Sequence, residues 1–205
     1  MLKIRKGDFV LFLWGCLISV FSFLLVFLME YSHEVYIVNI NVTLFSLLQA
    51  FAYCLSVAII EEFLFRYLFL KKWIVNKTRR FDKRVVYLGL GSSLLFGFLH
   101  LNLDEFPFMQ INIALSGVSL FFATYVFRSL GVAFGMHFSW NFIQGVIFPF
   151  EGSGSNLDSL FVFRDTSLNL LPEASRLHFL TFFVEIILIL GLWWNAREQL
   201  KKSGA

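Results

Sequence analysis

Six long apolar runs, separated by short polar or charged stretches, organise the chain. They cover residues 9–29, 42–70, 85–103, 106–127, 130–150 and 177–194. About 20 helical residues cross the hydrocarbon core of a bilayer, so each run is long enough to span. The pattern predicts an all-α fold, a polytopic transmembrane helical bundle of about six spans, forming a single membrane domain over residues 1–205. The second run is longer than a crossing requires and carries charges in its C-terminal half, so it is expected to tilt or to project past the membrane. The first follows Lys3, Arg5 and Lys6 but is too long for a signal-peptide core. No small-residue cleavage site follows it before Glu30, and it reads as a retained helix.

The connections set an orientation. Lys3, Arg5 and Lys6 precede the first run, and Lys71, Lys72, Lys77, Arg79, Arg80, Lys83 and Arg84 join the second to the third. Arg128 separates the fourth from the fifth, and Arg197, Lys201 and Lys202 follow the sixth. The alternate connections carry Glu30 and Glu34, then Asp104 and Glu105, then a mixed stretch from 151 to 176. Basic residues favour one side throughout, which places both termini in the cytoplasm and the protein in the cell membrane. Within the third run Gly89, Ser93 and Gly97 recur every four residues, as Gly131 and Gly135 do in the fifth. Small residues on one stripe let helix backbones approach closely in lipid, so these are read as packing seams.

Composition closes off other classes. With 58% hydrophobic residues, 28 Phe and only 15% charged residues, a soluble domain of 205 residues has too little surface to hide the apolar part. The net charge of +3 is spread over membrane connections and forms no basic face, so no nucleic-acid partner is expected. The expected partners are membrane lipid and a membrane-associated protein or peptide. Cys16 and Cys54 both lie inside apolar runs, which leaves neither a disulfide framework nor a cysteine zinc site.

Ionisable groups in hydrocarbon cost at least about 2.5–3.5 kcal/mol each on insertion scales, so a cluster of them requires a reason. Glu62 and Arg66 stand four apart on one helical face, acid before base, and can pair locally. Glu61 lies about 100° around the helix with no partner on it, and a carboxylate so placed can serve as a general base. His100 ends the stretch Phe96-Gly97-Phe98-Leu99-His100. His137 and Asn141 again share a face, where two donors can polarise a carbonyl or hold an oxyanion. Each feature alone is equally compatible with helix pairing. Together they supply, from separate helices, the parts that hydrolysis inside a membrane requires: a base, a developing-charge site and a lipid-free cavity.

The set resembles the CAAX-protease and bacteriocin-processing family, also called the Abi family. Its motifs Glu-Glu-x-x-x-Arg, Phe-x-x-x-His and His-x-x-x-Asn stand intact and in order at Glu61–Arg66, Phe96–His100 and His137–Asn141. Asn102 and Gly117 also look like the family, while Tyr67 stands where many members have glycine. The resemblance covers a core of about residues 51–147. It implies an intramembrane endopeptidase in which Glu61 and His100 activate water, His137 and Asn141 bind the oxyanion, and Glu62 and Arg66 position Glu61. No cofactor is expected. A metal-dependent version, with zinc or another divalent ion on Glu61, His100 and His137, suits the same side chains.

Helix rise sets one difficulty. Counted from the cytoplasmic ends, Glu61 lies about 15 Å deep, His137 about 10 Å and His100 about 22 Å. A third helix starting nearer Gly89 is expected, to bring His100 within reach. Glu185, alone in the sixth run, reads as structural, and Gln110 and Asn112 as packing residues. Two rival classes remain: a non-catalytic membrane immunity or interaction protein, and a small proton-coupled transporter. The second lacks the inverted repeat or broken helices that transporters show.

Overall fold

The computed structural model describes residues 6–31, 36–75, 83–100, 108–148, 159–163 and 171–202. Among these are six helices. Helix α1 is Lys6–Tyr31, and α2 runs through Leu44–Glu62, a π turn at Phe63–Tyr67 and Leu68–Val75. Helix α3 is Lys83–Leu99, and α4 is Phe108–Phe127. Helix α5 is Leu130–Phe142 followed by a second π turn, Ile143–Ile147, and α6 is Leu171–Lys202. The expected helical membrane bundle is the architecture found. By length and composition, α1, α2 and α4 are each apolar enough to cross a membrane. Their outward faces carry large exposed apolar side chains such as Leu17, Phe21, Leu48, Ile60 and Ile111, which lipid can solvate.

Local chemistry fixes the helix starts. Thr43 caps α2 through a reciprocal pair: its Oγ1 accepts from the Ser46 amide at 3.1 Å, and Ser46 Oγ accepts from the Thr43 amide at 3.0 Å. Ser129 caps α5, accepting from the Gly131 amide at 3.0 Å and donating to Asp8 Oδ1 at 2.7 Å. That bond ties the α4–α5 turn to the first turn of α1. Arg128 completes the turn with a left-handed backbone, φ 50°.

Helix α5 is the centre of the bundle. It packs against α1, α2 and α4, and nine of its residues between Leu130 and Ser139 are buried. The α1–α5 seam is the closest: Gly15 lies against the Val132 carbonyl, Gly131 against the Asp8 carbonyl, and Gly135 against the Phe12 carbonyl. A methyl group at any of these positions would strike backbone. On the α3–α4 seam Gly89 faces the Phe121 ring and Gly97 faces Gln110 and Ala114. Both stripes read from the sequence are therefore packing seams, and Gly15 is an unforeseen third member of the first. Ile18, Leu120, Ala123, Val132, Met136 and Ile189 join α1, α4, α5 and α6 in a buried apolar core.

Three details differ from the sequence reading. Helix α3 starts at Lys83, not near Gly89, and ends at Leu99, so His100 lies just beyond the helix. Its own side chain explains the stop: His100 Nδ1 takes the Phe96 carbonyl at 2.7 Å, the acceptor that a continuing helix would offer to the backbone. Secondly, two connections pair as a short antiparallel ribbon, Tyr36–Val38 (β1) with Phe161–Phe163 (β2). The ribbon serves α5, because the Leu160 amide takes the Val146 carbonyl at 2.7 Å where the second π turn leaves helix carbonyls without partners. Thirdly, α2 and α5 both relax into a π turn directly after their motif residues. The basic and acidic signals at Lys3, Arg5, Lys77, Arg79, Arg80, Asp104 and Glu105, together with His33 and Asn102, lie outside the described residues.

Candidate active site

Glu62 and Arg66 are fully buried and paired, with Arg66 Nη1 donating to Glu62 Oε1 at 2.9 Å. The other guanidinium nitrogen reaches across the bundle, Nη2 donating to the Gly117 carbonyl of α4 at 3.1 Å. Above the plane of the guanidinium lies Phe96, its ring centroid 4.6 Å from Arg66 Cζ. A planar, multiply donating cation that also stacks on a ring is a task for Arg and not for Lys. Gly117 must be small, since a Cβ there would lie 3.2 Å from both Arg66 Nη2 and the Ser93 backbone.

The pair extends into α5. His137 Nδ1 stands 2.8 Å from Glu62 Oε1, and a carboxylate already paired with arginine can only accept, so the imidazole donates from Nδ1. Its Nε2 then faces Glu61 Oε2 at 3.4 Å. His100 repeats the arrangement. A carbonyl can only accept, so its Nδ1 donates to Phe96 O, and its Nε2 faces Glu61 Oε1 at 3.8 Å. Gln110 Nε2 donates to the His100 carbonyl at 3.4 Å and holds the residue past the helix end. Both imidazoles thus present the same nitrogen to opposite oxygens of one carboxylate. Neither separation is a good hydrogen bond, which leaves the oxygens of Glu61 open to a third group.

Exposure divides the cluster in two. Glu61 is 23% and His100 36% exposed, whereas His137 is 7% exposed and Glu62 and Arg66 not at all. The first two form an accessible edge; the others form a buried support. Phe96 joins the two layers, lying 4.6 Å from the His100 ring, 5.8 Å edge-on from His137 and 5.1 Å from Phe65. The sequence marked Phe96 as part of a motif but gave it no role; its wedge position depends on three helices meeting. The depth difficulty is resolved by the bend at His100 and not by a later helix start. Asn141 lies one turn after His137 in α5, half-buried, and its side chain makes no hydrogen bond among the described residues.

Three lone-pair donors around one point invite a metal ion. Donors bound at about 2.0–2.2 Å in a tetrahedron stand roughly 3.4 Å apart, close to the two Glu61–histidine separations. The fit fails on the full set: among the described residues, no three His, Cys, Asp or Glu side chains have the mutual spacing of a metal site.

The class these features define is a helical membrane protein with an ionisable cluster buried in its bundle. The family model described as Type II CAAX prenyl endopeptidase Rce1-like matches residues 43–143, about half the chain and the whole cluster. The chain belongs to this family of CAAX-type endopeptidases, and at that level it is a protease. No curated protein and no solved structure matches the chain.

Proposed function

We propose that the protein is a multi-pass intramembrane endopeptidase with six crossings and both termini in the cytoplasm. It hydrolyses a peptide bond of a membrane-associated protein or peptide. One observation supports this above the rest: a partly exposed carboxylate, Glu61, flanked on both oxygens by imidazole Nε2 atoms whose other nitrogens are anchored. Glu61 takes a proton from a water held between it and His100, and the water oxygen attacks the peptide carbonyl. His137 and Asn141 bind the oxyanion; because His137 Nδ1 is committed to Glu62, it serves that role through Nε2 as the imidazolium. The C–N bond then breaks, and the proton on Glu61 passes to the departing amine. Glu62 and Arg66 hold His137 and the start of the π turn, so their role is positioning.

The test uses the full chain in lipid nanodiscs with two peptide sets, farnesylated CAAX peptides and unprenylated membrane peptides, read by mass spectrometry. Wild type cleaves at least one set and Glu61→Gln, nearly isosteric but unable to accept the proton, cleaves neither. Positioned general bases contribute about a hundred- to ten-thousandfold, so the loss is large. Activity persists after exhaustive chelation. Loss on chelation with recovery on zinc replaces this mechanism with one in which Glu61, His100 and His137 are ligands. If substitution of Glu61, His100, His137 and Asn141 leaves the biological phenotype intact, a non-catalytic interaction role replaces catalysis.

A further inference from the structure

The buried polar groups of the bundle do not all belong to the cluster around Glu61. Glu185 lies in α6, beyond the segment that matches the family model, and is buried at 7% exposure. It has a direct partner: Ser119 Oγ of α4 donates to Glu185 Oε2 at 2.6 Å, and Ser119 is fully buried. Two residues earlier on α4 is Gly117, whose carbonyl receives Arg66 at 3.1 Å. Two residues correspond to about 200° around a helix and 3 Å along it. Helix α4 is therefore gripped at one level from opposite sides, by α2 through its backbone and by α6 through a side chain.

We propose that Glu185 is a positioning residue for the site, acting through Ser119 to fix where α4 presents the Gly117 carbonyl to Arg66. The path is continuous: Glu185 to Ser119, Gly117 to Arg66, Arg66 to Glu62, and Glu62 to His137, with polar contacts of 2.6, 3.1, 2.9 and 2.8 Å. The apolar α3–α4 and α4–α6 contacts set spacing but resist axial slip weakly, because in lipid no hydrophobic force drives helices together. A slip of one residue's rise, about 1.5 Å, carries the Arg66–Gly117 bond to the limit of hydrogen bonding or beyond. Arg66 then follows the carbonyl or loses it, and Glu62 and His137 move with it. The inference rests on the proposed hydrolytic reading only for its kinetic consequence.

Its test is spectroscopic first. The chain holds four histidines, so nitrogen-15 labelled imidazoles give few resonances, and His137→Gln assigns that of His137. In the full chain in nanodiscs, Glu185→Leu and Ser119→Ala each shift the His137 ring resonances, while Glu185→Gln, which keeps an acceptor oxygen for Ser119, leaves them at their wild-type positions. The double variant shifts them no further than either single change. On the cleaved peptide, kcat falls roughly three- to twentyfold in the two disruptive variants with KM unchanged, the range for one interhelical hydrogen bond in lipid. If Glu185→Leu does not fold, Ser119→Ala carries the test alone. Unmoved His137 resonances in the disruptive variants overturn the proposal, whatever happens to thermal stability. If no peptide is cleaved by wild type, the hydrolytic reading fails separately and the resonances still decide.

Discussion

The seam between α1 and α5 and the cluster between α2, α3 and α5 lie in one bundle and are built on opposite principles. In the seam, Gly15, Gly131 and Gly135 bring backbone against backbone. Contact there is dispersion, many weak atom pairs that need only small residues. In the cluster, two carboxylates, a guanidinium and two imidazoles occupy a comparable depth of apolar surroundings. Desolvating such groups is expensive, and pairing offsets that cost only where the geometry is complete. Here Glu62 and Arg66 are almost fully engaged, while Glu61 is not. A bundle that needed only cohesion could repeat the seam. The retained and half-satisfied cluster marks where the chain spends stability on chemistry.

That contrast breaks most sharply at Asn141 and Glu62. Asn141→Ala lowers turnover about a hundred- to a thousandfold, the usual effect of losing one oxyanion donor, with the melting temperature unchanged. Its measurement is kcat on the cleaved peptide beside a thermal melt; retained turnover would remove Asn141 from the site. Glu62→Ala strands Arg66 and destabilises the protein by about 3–5 kcal/mol, seen as lost abundance and a lower melting temperature. Arg66→Ala does the same. The double variant is hurt less than the two singles summed, and strict additivity would show that the pair is not coupled in the membrane.

The seam supplies the smaller effects. Gly135→Ala forces a methyl group against the Phe12 carbonyl and is expected to destabilise by about 1–3 kcal/mol, with turnover per folded molecule kept. A fall in turnover instead would mean that the seam and the cluster are mechanically joined. Smallest is Phe96→Leu, which removes the ring beside Arg66 while retaining apolar bulk. Losing a buried cation–π contact costs about 0.5–2 kcal/mol. The informative readout is a change in the His100 resonances without a change in Glu62–Arg66 coupling.

Much of this was legible in the sequence because membranes penalise exceptions. Six apolar runs gave six helices, and the Glu62–Arg66 pair and the glycine seams follow from spacing alone. What spacing could not show was contact between elements. The Glu62–His137 bond joins residues 75 apart in sequence, and it ties an oxyanion candidate to a carboxylate read as serving only Arg66. The bend at His100 was missed because an apolar run continues to residue 103; the side chain that ends the helix is polar, but its target is a backbone carbonyl that no pattern reveals. Glu185 was read as a solitary structural acid, since a serine in an apolar helix carries no signal until its neighbour is known.

The π turns after the two motifs have a consequence for how such chains can change over time. A turn closed from residue i to i+5 holds one residue more than an α turn, so it absorbs an insertion without unwinding the helix. Deleting a single residue within Phe63–Tyr67 would restore a regular helix yet rotate everything beyond it by about 100° and draw it back by about 1.5 Å. Leu70, now 1% exposed against the bundle, would turn away from it. Length variation among descendants of this chain should therefore collect in the stretches between helices, while the count of residues from Glu61 to Leu70 stays fixed.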